Sequence, residues 1–326
     1  MRFLRLVAVL VVMISGLSSA VFASASSWQD WVEDGAVDDG VLGRIWSVRD
    51  QTFLPPSELL GRLSGVRYLL LGEVHDNAVH HQLQAFLLKN VDPDRRPTLV
   101  MEMVSADRSE ALEKFNETSD PTADDFAKLV EWKNSGWPDF ELYRPIMEAA
   151  LARGADIAPG LPAQADTRAV SRGGLNELSA DRRRKLGLDT PLAPEFSSGL
   201  EEEIIRSHCD MLPPEMVPNM MAVQRFRDAA LAEAMRQTPE DGPAVLIAGN
   251  GHVRSDRGVP VFLSPDNKRT AVVILEEVDA AAEPANTLAD YGSDFPADYV
   301  WFTSSKERED PCQSLRERFA KPKPEK

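Results

Sequence analysis

The chain has 326 residues and a formal net charge of −16, from 36 Lys and Arg against 52 Asp and Glu. That balance excludes a nucleic-acid binder, which needs basic surface to displace counterions from phosphate, and it argues against adhesion to an anionic membrane surface. Two cysteines exclude a disulfide-dense scaffold, a four-thiolate zinc site and an iron–sulfur centre.

The N-terminus carries Arg2 and Arg5, an apolar run from Leu6 to Ile14, then small residues to Ala23-Ser24-Ala25. This pattern predicts a secretory signal peptide over residues 1–25. The run is too short to span the ~30 Å hydrocarbon core comfortably, and no later stretch is long enough. No cysteine stands at the cleavage site, so the chain is not expected to be a lipoprotein. The expected location is the periplasm or the exterior. There Cys209 and Cys312 could pair, and an unpaired buried Cys209 is an equal alternative.

Short apolar runs predict strands at Tyr68–Leu71, Thr98–Met103, Ala155–Ala158, Ala244–Ala248 and Thr270–Leu275, with Tyr299–Thr303 as a weaker candidate. Helical patterns lie between them at Val79–Lys89, Ser105–Asn116 and Leu142–Arg153, and Gly154 is placed to stop the last. Strands alternating with helices predict an α/β fold: a parallel sheet flanked by helices. Residues 161–238 break the rhythm and read as a smaller helical insertion. The α/β core is then discontinuous, over 26–160 and 239–316, and residues 317–326 read as a disordered tail.

Polar residues cluster where the predicted strands end. Tyr68–Leu71 runs into Gly72-Glu73-Val74-His75-Asp76-Asn77, Leu99–Met101 into Glu102, and Val245–Ala248 into Gly249-Asn250-Gly251-His252. In a parallel sheet these ends share one edge, the edge at which open α/β sheets bind ligands. Glu73, His75, Glu102 and His252 are therefore expected to converge as candidate catalytic residues. Glu73, His75 and His252 could hold a divalent metal such as Mn, Co or Fe. Alternatively, a carboxylate-oriented histidine could deprotonate water without one. The structural alternative makes Glu102 a helix-entry carboxylate and His252 a core histidine. Strand-end acids inside apolar runs are costly to bury, which favours a site. Asn77, Asn250, Arg254 and Asp256 join the expected crevice.

Three of the five histidines, His75, His80 and His81, fall together. His80 reads equally as an exposed residue, and His81 as one placed to bond to a strand or a metal-bound group. Trp132, Trp137, Phe140 and Tyr143 concentrate aromatic side chains; Tyr143 stands out among four tyrosines. Such a surface suits a flat apolar ligand such as haem, or packs helices onto the sheet. His208-Cys209-Asp210 lies at a predicted helix end, as a metal-binding pair or as a helix terminus with a buried thiol. Asp228 and Arg225 are placed to orient groups at the crevice.

These motifs resemble the ChaN-like haem-binding family, in the superfamily that also holds Tiki and erythromycin-esterase-like proteins. The resemblance rests on Gly72-Glu73-Val74-His75-Asp76-Asn77 with His80-His81 and Gln84, on Leu99–Met103, and on Trp137-Pro138 with Tyr143-Arg144-Pro145-Ile146. It rests also on His208-Cys209, on Gln224 with Arg227-Asp228-Ala229, and on Gly249-Asn250-Gly251-His252-Val253-Arg254 with Asp256 and Gly258-Val259-Pro260. It implies an α/β core with a smaller helical domain and haem binding linked to iron acquisition. It implies haem held between two subunits of a homodimer by tyrosine and histidine, with Tyr143, His80, His81 and His208 as the candidates here. It also implies, as the alternative, metal-dependent hydrolysis of peptides or esters at the Glu and His cluster.

Overall fold

The computed structural model describes residues 29, 40–263, 269–279, 287–310, 312, 313 and 316. The expected signal peptide and the expected tail lie outside the described residues. The strands are β1 (Ile45–Ser47), β2 (Thr52–Leu54), β3 (Tyr68–Glu73), β4 (Thr98–Ser105), β5 (Asp156–Leu161), β6 (Ala244–Gly249), β7 (Thr270–Val278) and β8 (Tyr299–Ser304). They form one sheet in the order β2-β1-β8-β7-β3-β6-β4-β5.

The six strands from β8 to β5 in that order are parallel, whereas β1 pairs antiparallel with both β8 and β2. The sheet is thus mixed, not purely parallel as expected. The two extra strands have three residues each, too short to show as a hydrophobic run. Every residue of β6 is buried, and β3 and β4 are nearly so, as for parallel strands covered on both faces.

The helices are α1 (Pro56–Leu63), α2 (Ala78–Asn90), α3 (Ser109–Asn116), α4 (Ala123–Leu129), α5 (Phe140–Ala152), α6 (Gln164–Gly173), α7 (Ala180–Leu186), α8 (Pro194–Ser207), α9 (Val217–Arg236) and α10 (Asn250–Val253). Side chains alternate along the strands, so the sheet has two apolar faces. Leu69, Leu71, Leu99, Met101 and Ile247 pack with α1 to α5. Leu70, Val100, Leu246 and Val272 pack instead with Leu231, Ala232 and Met235 of α9 and Val253 of α10. The N-terminal half of α9 serves a third cluster: Val223, Phe226 and Ala229 pack with Val170, Leu178 and Leu186. One long helix therefore joins the helices that precede it to the sheet.

Local signals set the ends that matter. Asn77 caps α2, its side-chain oxygen accepting from the backbone N–H groups of Val79 and His80 at 2.9 and 3.4 Å. Asp139 caps α5 by accepting from the N–H of Glu141. Past α5, Gly154 takes a φ of +61°, which a glycine adopts without a Cβ penalty. Cys209, just past α8, is disulfide-bonded to Cys312, beyond β8, with Cα atoms 5.5 Å apart. Among the described residues, no helix is long and apolar enough to cross a membrane.

Candidate functional site

Parallel pairing of β6 with both β3 and β4 places Glu73, Glu102 and Gly249 at one sheet edge. Glu73 is in register with Gly249, and the N–H of Gly249 donates to Oε2 of Glu102 at 2.8 Å. Glycine is needed here for space. A Cβ on Gly249 would lie 3.0 Å from the His75 ring, and one on Gly72 would lie 2.3 Å from Oδ1 of Asn250. The predicted convergence of Glu73, His75, Glu102 and His252 is present, in two connected groups.

The first group is built on Glu73, whose side chain is fully buried. Its Oε1 accepts from the Tyr143 hydroxyl at 2.7 Å and faces Nδ1 of His75 at 2.8 Å. Nε2 of His81 lies 3.4 Å from the other oxygen, near enough for charge attraction but outside hydrogen-bond alignment. Burial alone would raise the Glu73 pKa. The His75 hydrogen bond and the neighbouring imidazoles outweigh it and hold the carboxyl well below its usual range. A carboxylate has no proton to give, so Nδ1 of His75 must carry the hydrogen. Nε2 is then the nitrogen left to act. The His75 side chain is 36% exposed, and its ring meets the edge of Trp137 at 4.9 Å between centroids. Burial lowers the His75 pKa, but the Glu73 bond and the Glu102 charge carry it above the ordinary value.

Tyr143 is fully buried, and burial together with the Glu73 charge pushes its hydroxyl well up. It stays protonated, donates to Glu73, and lies 3.2 Å from the carbonyl of His75. His81 is fully buried against the Tyr143 ring, centroids 4.1 Å apart. His80 is also fully buried. Its Nδ1 accepts from the N–H of Val74, and its Nε2 faces the Thr303 hydroxyl at 2.7 Å. Burial drives its pKa down to about 4, so it is a neutral brace between the β3–α2 turn and β8. The expectation that Tyr143, His80 and His81 face a cofactor is therefore not met: their polar atoms are turned into the protein.

The second group is a buried carboxylate–imidazole–carboxylate chain. Nε2 of His252 lies 3.2 Å from Glu102, and Nδ1 lies 2.5 Å from Asp228 and 3.1 Å from Gln224. Burial opposes a charge on His252, but Glu102 and Asp228 push its pKa up to about 10. Glu102 is drawn down to about 2, against burial, chiefly by the His252 charge. His252 is thus a protonated imidazolium with both nitrogens engaged. Asp228, read in the sequence as orienting the crevice, does so through His252. Arg225 instead donates to the carbonyl of Thr190.

The remaining expected crevice residues stand around these groups. Asn77 donates to Glu277 at 2.6 Å besides capping α2, and Asn250 donates to the carbonyl of Leu275 at 2.8 Å. Arg254 grips Asp256 through two nitrogens at 3.0 and 2.7 Å. His208 caps α8 and bonds back through Nδ1 to the carbonyl of Ile204 at 2.7 Å, so the structure does not bring it into the Glu73 cluster.

The metal reading of Glu73, His75 and His252 does not fit. His252, held as an imidazolium between two carboxylates, cannot ligate, and the Glu73 oxygens are turned to Tyr143, His75 and His81. Among the described residues, no group of three or more His, Cys, Asp and Glu side chains is arranged to hold a metal ion. Sequence reasoning missed Thr303 as the partner of His80 and Glu276 on β7, whose carboxyl burial pushes up to about 7. Strand β8 was a weak prediction, and its last residues carried no signal that they reach the edge.

The family described as Haem-binding uptake, Tiki superfamily, ChaN matches residues 59–263. Among solved structures, ChaN of Campylobacter jejuni, described with cofacial haem binding, superposes with a TM-score of 0.61 at 17% identity, over 79% of this chain and 95% of that one. The type III effector HopBA1 gives a TM-score of 0.45 at 12% identity, over 76% and 92% of the two chains. An erythromycin esterase, EreC, gives 0.39 at 11%, over 85% and 87%. No curated protein matches the chain.

Proposed function

The chain belongs to the Haem-binding uptake, Tiki superfamily, ChaN family, and from that premise we propose that it binds haem outside the cytoplasmic membrane and serves haem or iron acquisition. The observation that carries this reading is the state of His75. It is the half-exposed histidine of the cluster, its Nδ1 is held by Glu73 at 2.8 Å, and its Nε2 is free. An imidazole whose far nitrogen is fixed by a carboxylate is the usual form of a histidine iron ligand. His75 would hold the group, Glu73 would fix its tautomer, and Trp137 would offer an apolar wall. Haem, when bound, would supply an iron centre, and His75 is the residue that would offer it a nitrogen. His208 is the second histidine that is not fully buried.

An extracytoplasmic location is supported by the predicted signal peptide and by the Cys209–Cys312 disulfide, since such bonds persist in oxidising compartments. Residues 161–238, which hold α6 to α9, are read as an insertion framing the site. The test is titration of the purified protein with haem. A Soret band shifted from that of free haem, saturating at a fixed stoichiometry, is expected; no shift would overturn the reading.

One geometric observation favours a second reading. A half-exposed imidazole oriented by a buried carboxylate is also a general base, able to take a proton from water at Nε2. This is a metal-free hydrolase. It predicts peptide or ester hydrolysis that survives chelators and is lost in His75→Ala.

A further inference from the structure

A cleft of about 480 Å³ opens beside His75, at the carboxyl ends of β4 and β5. Its walls include Met103, Arg108, Trp137, Arg168 and Arg227. In a chain of net charge −16, three arginines in one cleft are notable. One is already neutralised: Arg108 pairs with Glu131 at 2.8 Å. Asp107 at the rim is engaged by the N–H of Gln164 and the hydroxyl of Ser105. Among the described residues Arg168 makes no ion pair: it donates to the side-chain oxygen of Gln164 at 3.2 Å, and the Asp107 carboxylate lies near enough to feel its charge. Arg227 makes no ion pair among the described residues, and its Nε is buried without a hydrogen-bond partner. Burying an unpartnered guanidinium nitrogen costs free energy unless a ligand satisfies it.

We propose that this cleft takes the carboxylates of a flat apolar ligand, with Arg168 and Arg227 as the anion-binding pair. The inference rests on the haem reading above and adds to it which end of the ligand is gripped, and by what. Arginine presents a planar fork of donors matched to a carboxylate. Met103 and the Trp137 indole supply apolar wall. Trp137 lines the cleft and touches the His75 ring, so it links the anion end to the free nitrogen of His75. Two carboxylates on one edge of a porphyrin match two arginines that line one cleft. A pocket of this volume holds part of such a ring and leaves the rest open to solvent.

The experiment uses metal-free protoporphyrin IX and its dimethyl ester, in one mild detergent buffer, with binding read by porphyrin fluorescence. No iron is present, so ligation by His75 cannot mask the result. Wild-type protein is expected to bind the free acid roughly tenfold or more tightly than the ester, the effect of losing a charge-assisted contact. The Arg168→Ala/Arg227→Ala variant is expected to lose that preference while keeping the wild-type circular dichroism spectrum. Equal affinity for acid and ester, an unchanged preference in the double variant, or no porphyrin binding would each overturn the proposal. The two readings fail separately. A haem Soret shift indifferent to both arginines removes this cleft and leaves haem binding. Acid-selective porphyrin binding without a haem shift does the reverse.

Discussion

Oε1 of Glu73 lies 2.8 Å from Nδ1 of His75, and this contact decides which nitrogen of the imidazole is free. The same oxygen accepts from Tyr143 at 2.7 Å, so one buried atom holds two side chains in place. Glu73→Gln places an amide where a carboxylate accepted both bonds. Breaking a buried charged network typically costs about 3–5 kcal/mol. Urea denaturation should show a loss of that order, and Tyr143→Phe a smaller one of about 1–2 kcal/mol. Equal losses in the two variants would mean that Glu73 is not the hub.

The close approach at Gly72 makes a steric prediction. A Cβ there meets Oδ1 of Asn250 at 2.3 Å and Cγ2 of Val253 at 2.8 Å. Gly72→Ala should cost about 1–3 kcal/mol, as overpacking does. Gly249→Ala meets the His75 ring at 3.0 Å and Oε2 of Glu102 at an ordinary 3.8 Å, and should leave stability nearly unchanged while shifting ligand affinity. Thermal melts alongside binding titrations separate the two.

The buried triad predicts a pH dependence of stability. The His252 pKa rises from its ordinary 6.5 to about 10 on folding, so its contribution is complete below about 6.5 and disappears as pH climbs to about 10. The Glu102 pKa falls from 4.5 to about 2, so its contribution is complete above about 4.5 and lost as pH falls to about 2. Asp228 works the other way, because burial raises it from 3.8 to about 6, and stability declines as it ionises across that range. Melting temperature against pH should therefore fall on the alkaline side in wild type. His252→Gln should be less stable near pH 6 and lack that alkaline decline; a parallel curve would contradict the assignment.

The disulfide closes a loop of 103 residues between the end of α8 and the segment after β8. Removing a cross-link of that span costs roughly 2–5 kcal/mol. Reductant, or Cys209→Ser with Cys312→Ser, should lower the melting temperature by several degrees. An unchanged melt in reductant, with free thiols confirmed by a thiol reagent, would show that the bond contributes nothing.

Much of this site was legible in the sequence because a parallel sheet sends every strand end to one edge. Glu73, Glu102 and His252 sit where apolar runs stop, and register then makes them neighbours. What the sequence could not tell was direction. His80 and His81 are adjacent on α2, so one was expected to face the crevice, but both are buried. His80 turns to Thr303 on a strand far along the chain, and His81 to Tyr143. Tyr143 stood out by rarity, which says nothing of whether its hydroxyl points out or in. Protonation was equally hidden: two carboxylates flanking His252 remove it as a metal ligand, and neither contact follows from spacing. The open disulfide question needed the fold, because only there do Cys209 and Cys312 approach.

The most direct measurement is a haem titration of wild type and His75→Ala, followed at the Soret band. Wild type is expected to saturate with a shifted band. His75→Ala is expected to lose that shift and to bind at least about tenfold more weakly, as removal of a metal ligand or its support does. A wild-type protein that leaves the haem spectrum unchanged, or a His75→Ala variant with the same band and affinity, would contradict the assignment.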